Sequence, residues 1–413
     1  MTKKTAVITF DLAHDSGNGY MKDRIDDQVT IFPSVLARFL PGMQNTVIKS
    51  DDTVAVNRFF EDPLQNMDIT VQSNGINNNG RYLVGNAAAC SGSSLLTFNV
   101  SSIEGKNSSD IGIVAALSLI SYKALTEYFR DNNAIPSSLD VVIPNMATDL
   151  PIDEIKNRNV RESYVSRFMD NIHVVVINNF DNPITVSVTF KKVSLQPEGV
   201  IGEKGLILSA EKKNSFRDDE VFLPVKKQYN LDNFDGESLL DSGNVIGIDI
   251  GDGTVDFSCM NKLVTLPNMN DSLNMGIGNI SEDAIKALHQ AYPSIKKMNR
   301  QKFMEIANRG DDEESKTFKQ FLDEQSVAIN QEIIEKVKTL YSRLDQQLGM
   351  IVVSGGGAAT LQSSLLPALN STLSEIDVFS KTKIFWVDKK YAQTLNLDGL
   401  QARILAMRDE VNE

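Results

Sequence analysis

Three glycine-rich turns, each at the end of an apolar run, limit what this chain can fold into more than any other feature. They are Asp15-Ser16-Gly17-Asn18-Gly19, Asp249-Ile250-Gly251-Asp252-Gly253-Thr254 and Ser354-Gly355-Gly356-Gly357-Ala358. The first two share a layout: an acidic residue at a strand end, a glycine two residues on, and another two beyond that. Such a turn has two readings. It is a tight hairpin whose glycines only supply positive φ, or a cradle whose missing side chains let backbone N–H groups approach an anion. A single glycine turn after a strand says little. Three of them, far apart in the chain, point to one anionic ligand held from several sides.

The chemistry of such a ligand follows from the residue types. Two hairpins facing each other can grip the β- and γ-phosphates of a nucleotide through backbone N–H groups. The first would use Asp15, Ser16, Gly17, Asn18 and Gly19, the second Gly251, Asp252, Gly253 and Thr254. Asp15 and Asp249 then hold a hydrated Mg²⁺, an ion that favours one or two carboxylates plus water and phosphate oxygens. Lys22, seven residues after Asp15, can return along the next strand and meet a phosphate as a point charge. The third turn places Gly355, Gly356, Gly357 and Ala358 where a strand meets a helix. There the backbone can lie flat against a nucleoside, and the helix N-terminus favours negative charge.

The rest of the chain supplies a layered α/β frame. Residues 5–10 (TAVITF), 81–84 (RYLV), 139–144 (LDVVIP) and the strictly alternating 184–190 (ITVSVTF) read as strands. VIGIDI, ending at Ile250, and MIVVS, ending at Ser354, read the same way. Val114, Leu117, Ile120, Leu125 and Phe129 recur at helical spacing behind a cap at Ser109 or Asp110. Ile329, Ile333, Val337, Leu340, Leu344 and Leu348 form a second long stripe. Residues 210–243 are charged and irregular and receive no assignment. Strand groups alternating with single long helices predict an α/β fold.

The order of phosphate hairpin, phosphate hairpin and nucleoside glycines resembles the actin, sugar kinase and heat-shock ATPase superfamily. The finer likeness is to the bacterial plasmid-partitioning actins of the ParM/StbA group. DSGNGYMK followed by IFPSVLA (31–37) is similar to that group's opening, and YLVGNAA (82–88) to its next strand and turn. LQPEGV (195–200), GIDIGDGTVDF, VVSGGGAATL and YAQTLNLDGL (391–400) resemble its later segments. The strand VVIPNMA departs from the group's Gly-Leu-Pro, and the stretch between Glu198 and Asp249 is longer than one helix needs.

The resemblance implies an actin-like two-domain fold, two ribonuclease-H-like halves around a nucleotide cleft. Domain I is expected over 1–245 with a small subdomain at about 25–108, domain II over 246–375, and a C-terminal helix region, 376–413, returning to domain I. It also implies ATP as cofactor, with GTP open, together with Mg²⁺. The family's water-orienting residue falls on the segment Gln196-Pro197-Glu198, so Glu198 is the catalytic candidate, with Asp249 beside it. The bland reading of Glu198 is an acid favoured by a helix N-terminus. Asp15 and Asp249 as turn caps would be the corresponding bland reading of the metal pair. Asp11 competes with Asp15 for the end of the first strand, but no glycine follows it at the matching distance. Asp256 is read as structural, and Trp386, in KIFWVD, as strand packing.

Bulk properties narrow the function class. Among the 413 residues the formal net charge is −13 and the pI is about 4.9, which disfavours direct DNA binding. Two cysteines without metal-ligand spacing suit a reducing cytoplasm. No run of about 18 apolar residues suggests a membrane span, and the opening MTKKTAVITFDLAHD is too short in apolar residues for a signal peptide. A chaperone would need a peptide-binding domain after the ATPase, and a membrane-tethered actin a basic amphipathic anchor, which the acidic tail ARILAMRDEVNE does not resemble. A small-molecule kinase would need a substrate base and sugar-binding polar residues that no segment suggests. The expectation is a cytoplasmic ATPase that polymerises head to tail and moves plasmid or other mobile DNA. Its partner is a basic adaptor on a centromere-like DNA site, with no direct contact to DNA or membrane.

Overall fold

The structure, a computed structural model, describes residues 5–43, 46–98, 105–310, 312–379 and 381–408. The chain forms two compact units, one of Met1–Leu150, Glu154–Pro197 and Leu400–Glu413, the other of Pro151–Asp153 and Glu198–Gly399. Residues 198–245, placed with domain I by the sequence reading, pack in the second unit. Of the C-terminal region 376–413 expected to return to domain I, only Leu400–Glu413 belongs to the first unit; 376–399 packs in the second.

The first unit is built on three strand paths that each break once. Ala6–Thr9 resumes as Leu12–Ser16, Ser138–Ile143 as Met146–Leu150, and Ile184–Phe190 as Val193–Pro197. The halves before the breaks lie side by side in an eight-stranded sheet, and the halves after them in a five-stranded sheet. Hydrogen bonds tie the breaks together: Leu12 N–H donates to the Asn145 carbonyl at 3.0 Å and Met146 N–H to the Lys192 carbonyl at 2.8 Å. Pro144 has no N–H to continue a ladder. Asp11 fills the gap, accepting from the Asn145 backbone N–H and its Nδ2, each at 3.0 Å, and from Arg408 Nε at 2.7 Å. The strand expected at 5–10 is therefore shorter and followed by another, and Asp15 sits inside that second strand.

Asp68–Gln72, Gly80–Val84, Val35–Arg38 and Leu95–Thr97 extend the eight-stranded sheet. The helix Ile111–Asn132 packs into this unit's core, with Val114, Leu117, Ile120 and Leu125 fully buried. Of the described helices it alone is long and apolar enough to cross a membrane, and 78% of its apolar window is buried within the protein. Ser109 Oγ accepts the Ile111 N–H at 3.2 Å. The Asp110 carboxylate instead holds the asparagine-rich loop through the backbone N–H groups of Asn77 and Asn78.

The second unit has a sheet in the order Val264–Thr265, Val255–Asn261, Asn244–Ile250, Met350–Ser354 and Lys383–Trp386, with Asp271–Leu273 also paired to Val255–Asn261. Successive side chains on a strand face opposite sides, and the burial pattern follows that rule. Ile246, Ile248, Ile250, Val255, Phe257, Ile351, Val353, Ile384 and Trp386 join one core with the helices Ile277–Ala291, Glu313–Arg343 and Ala358–Ile376. Val245, Met260, Val352 and Phe385 join another with Val200, Leu206, Ile207 and Phe222. The unassigned stretch 210–243 contains the helices Leu223–Tyr229 and Gly236–Leu240. The long stripe is the helix Glu313–Arg343, which ends before Leu344 and Leu348; both remain buried.

Candidate functional site

The first turn joins Leu12–Ser16 to Tyr20–Ile25, with Asp15 opposite Lys22. Lys22 Nζ donates to Asp15 Oδ2 at 2.7 Å, and Asp15 is only 2% exposed. The lysine expected at a phosphate is thus the charge partner of the aspartate expected at the metal. Ser34 holds the turn from behind: its Oγ donates to the Gly17 carbonyl at 2.6 Å and its N–H to the Gly19 carbonyl at 3.0 Å. In a trans peptide the C=O and the next N–H point in opposite directions. The Asn18 N–H is therefore turned away from Ser34, free of any described acceptor. Lys106 Nζ adds a buried cation, donating to the Ser16 carbonyl at 3.1 Å. Behind the turn His14 Nδ1 and Asp23 Oδ1 form a fully buried hydrogen bond. Burial raises the Asp23 carboxyl above its ordinary range, with His14 opposing.

The second turn repeats this construction. Gly251 N–H donates to the Thr254 carbonyl at 2.8 Å and closes the hairpin. Its carbonyls are held by the start of the Ile277–Ala291 helix: Ile277 N–H donates to Gly251 O at 3.1 Å and Gly278 N–H to Asp252 O at 2.7 Å. By the same peptide geometry the N–H groups of Asp252 and Gly253 point away from that helix. Two side chains of the turn are already paired, the first at the surface. Asp252 Oδ2 pairs with Arg300 Nη1 at 3.0 Å, and Thr254 Oγ1 donates to Asp256 Oδ2 at 2.9 Å. Any phosphate contact by Asp252 therefore falls to its backbone.

The third turn adjoins the second, because Ser354 stands beside Asp249 in the parallel pair of strands. Gly355 has φ +94°, and a Cβ there would lie 2.2 Å from Asp249 Oδ1. Gly357 N–H donates to the Ile250 carbonyl at 2.8 Å. A Cβ on Gly356 would meet nothing within 4 Å, so open space lies over this one glycine. Ala358 starts the following helix and is fully buried.

Glu198 and Gly199 form the turn before the helix Val200–Ile207. Gly199 has φ +73°, and a Cβ on it would lie 3.9 Å from Asp249 Cβ and 3.7 Å from Asp256 Cβ. Asn396 Nδ2 donates to Asp249 Oδ2 at 3.3 Å. The second unit thus gathers the Glu198–Gly199 turn, Asp249, the Gly251–Thr254 turn and the Gly355–Ala358 turn in one place. Asp15–Gly19 and Lys22 are gathered in the first unit. Ser34, Lys106, Ile277, Gly278, Arg300 and Asn396 were not identified from sequence. Ser34 lay within the quoted IFPSVLA, and the glycines of NMGIGNI (274–280) were a visible mark of a close approach.

No protein-family profile and no curated protein matches this sequence. Solved structures do match over nearly the whole chain. The actin-like protein Alp7A aligns with TM-score 0.67 and 14% identity, covering 98% of each chain. The non-polymerisable quadruple mutant of pCBH ParM aligns with TM-score 0.59 and 20% identity, covering 97% of this chain and 100% of that one. Bacillus thuringiensis ParM with ATP aligns with TM-score 0.59 and 12% identity, covering 97% and 99%. The chain has the actin-like fold. At these identities the likeness carries the fold alone, and the glycine turns described above are this chain's own features within its actin-like frame.

Proposed function

We propose that this actin-like chain binds and hydrolyses ATP, assembles head to tail into filaments, and moves plasmid or other mobile DNA through a basic adaptor. The observation that carries the proposal is the shared construction of the first two turns. In each, the turn carbonyls are tied from behind and the N–H groups of Asn18, Asp252 and Gly253 are left facing away, the arrangement that binds anions. The open face of Gly356 supports a place for a nucleoside, and ParM is among the similar structures, one of them with ATP.

In this reading the backbone N–H groups of Asn18, Asp252 and Gly253 bind phosphate oxygens, while Gly17, Gly19 and Gly251 shape the turns, the Gly251 N–H being committed to the Thr254 carbonyl. Asp15 and Asp249 are the carboxylates assigned to Mg²⁺. Among the described residues no cluster of three or more His, Cys, Asp and Glu side chains could hold a metal ion. The ion would therefore arrive with the nucleotide, as Mg²⁺ commonly does; its chemistry is to neutralise charge on the phosphates. Glu198 orients the attacking water, and Asn396 fixes the Asp249 carboxylate. Little covalent work falls to the protein in phosphoryl transfer, so positioning is its main contribution.

A chain of charge −13 repels DNA phosphates, which is why the cargo is assigned to an adaptor of opposite charge. Right-angle light scattering tests the proposal. ATP·Mg²⁺ should raise the signal of the wild-type protein, and Asp249→Ala, folded by circular dichroism, should stay flat. A wild-type signal indifferent to ATP·Mg²⁺ contradicts it.

A further inference from the structure

The helix Val200–Ile207 and its leading turn are seated on the strand pair Asn244–Ile250 and Val255–Asn261 by two contacts one helical turn apart. Gly199 stands over the pair Asp249 and Asp256. Glu203, four residues on, stands over the pair Gly247 and Ser258. Four helical residues advance about 6 Å and two strand residues about 6.8 Å, so the two spacings match. At the second contact Ser258 Oγ donates to Glu203 Oε1 at 2.6 Å. A Cβ on Gly247 would lie 1.9 Å from that same oxygen. The glycine thus opens a slot in the strand that the carboxyl occupies. Glu203 is 5% exposed, and its Oε2 has no partner among the described residues.

We propose that Glu203 is a positioning residue that sets the register of this helix on the strands and thereby holds Glu198 beside Asp249. The inference rests on the reading of the chain as an ATPase with Glu198 orienting water. A carboxyl in this slot is required neutral, because a buried charge without a counter-ion is costly. Burial pushes the Glu203 carboxyl up to about 8, with the Ser258 hydrogen bond and Lys204 opposing and Asp249 adding to the rise. Among the described residues the titratable or charged groups on the elements packed around it include Glu198 in the leading turn and Lys204 on its own helix; Asp249, Asp256 and Cys259 on the strands; Glu237 on the helix Gly236–Leu240; and Arg217, which donates to the Gly205 carbonyl at 2.9 Å and holds Asp398 at 3.0 Å. The Cys259 thiol is itself pushed up to about 12 by burial and by Glu203.

Two variants and two readouts test this. Glu203→Gln keeps the shape and the neutral state; Glu203→Ala empties the slot. Glu203→Ala should lower kcat for ATP hydrolysis about tenfold or more with KM within about twofold, the signature of an interaction that matters in the transition state. Wild type should lose kcat above about pH 8, and Glu203→Gln should keep kcat near wild type without that fall. Hydrogen exchange over residues 198–203 reads the seating without turnover: it should quicken in Glu203→Ala and not in Glu203→Gln. A folded Glu203→Ala with wild-type kcat and exchange overturns the proposal, as does an equal loss of kcat and nucleotide affinity, which marks general damage. A wild type without hydrolysis overturns the ATPase reading and the catalytic half of this one, and exchange then decides the seating half.

Discussion

Lys22 and Asp15 form a cross-strand ion pair at the mouth of the first hairpin, Nζ to Oδ2 at 2.7 Å, with the aspartate 2% exposed. A carboxylate this deeply buried needs a counter-charge, and removing one partner of such a pair is far more costly than the pair is worth.

Lys22→Ala should therefore destabilise the nucleotide-free protein by about 1–3 kcal/mol, below the figure for fully buried pairs because Lys22 is partly exposed. ATP·Mg²⁺ should also bind more weakly. Urea unfolding with and without nucleotide measures both effects. Unchanged unfolding in the absence of nucleotide would show that Asp15 does not depend on this lysine.

Two glycines of the third turn should separate stability from binding. Gly355→Ala places a Cβ 2.2 Å from Asp249 Oδ1 at φ +94°, so it should cost about 1–3 kcal/mol of stability. Gly356→Ala enters open space and should leave unfolding unchanged while weakening nucleotide binding. Thermal melts and fluorescent-nucleotide titration of the two variants check this. Equal melts for both variants would contradict the geometry.

Glu198→Ala should slow hydrolysis about a hundredfold, within the range for positioned acid–base groups, and change nucleotide affinity little. Filaments of this variant should be long-lived. Single-turnover hydrolysis and filament lifetime measure the two sides, and filaments that turn over at the normal rate would remove Glu198 from the chemistry.

The Glu203 carboxyl sets a sign for the pH dependence of stability. Burial pushes its native value up to about 8 from the ordinary 4.5. Between these values the native state keeps a proton that the unfolded state has released, so unfolding free energy falls as pH rises, by up to about 1.4 kcal/mol per unit. Below pH 4.5 the effect is absent, and above about 8 it is complete. The melting temperature of Glu203→Gln minus that of wild type should grow from pH 5 to pH 8 and then level. A constant difference across that range would place the group's native value near its ordinary one.

The strands ending in Ile250 and Ser354 and the helix from Ile111 were legible because each is a local pattern: an apolar run, a periodic stripe, a glycine stop. The breaks at Phe10-Asp11 and Lys191-Lys192 were not. They depend on three strand paths pausing side by side, and nothing within TAVITF announces that Asn145 will meet Asp11. Site residues divided the same way. Glycines and aspartates carried their own signature, whereas Ser34 and Ile277 act only by what the fold sets behind each turn. Glu203 stands next to Lys204 in the mostly apolar helix VIGEKGLI, and its role appears only with Gly247 opposite it.

Sedimentation with ATP·Mg²⁺ across a salt series tests the central claim most directly. Each subunit carries −13, and repulsion between subunits is screened at a Debye length of about 10 Å in 0.1 M salt. A head-to-tail contact gives open filaments. The protein should pellet with ATP·Mg²⁺, more at moderate salt than in dilute buffer, and stay in the supernatant without nucleotide. Protein that remains in the supernatant at every salt, while a sugar hydroxyl stimulates ADP release, would contradict the filament account and make the chain a kinase of the same fold.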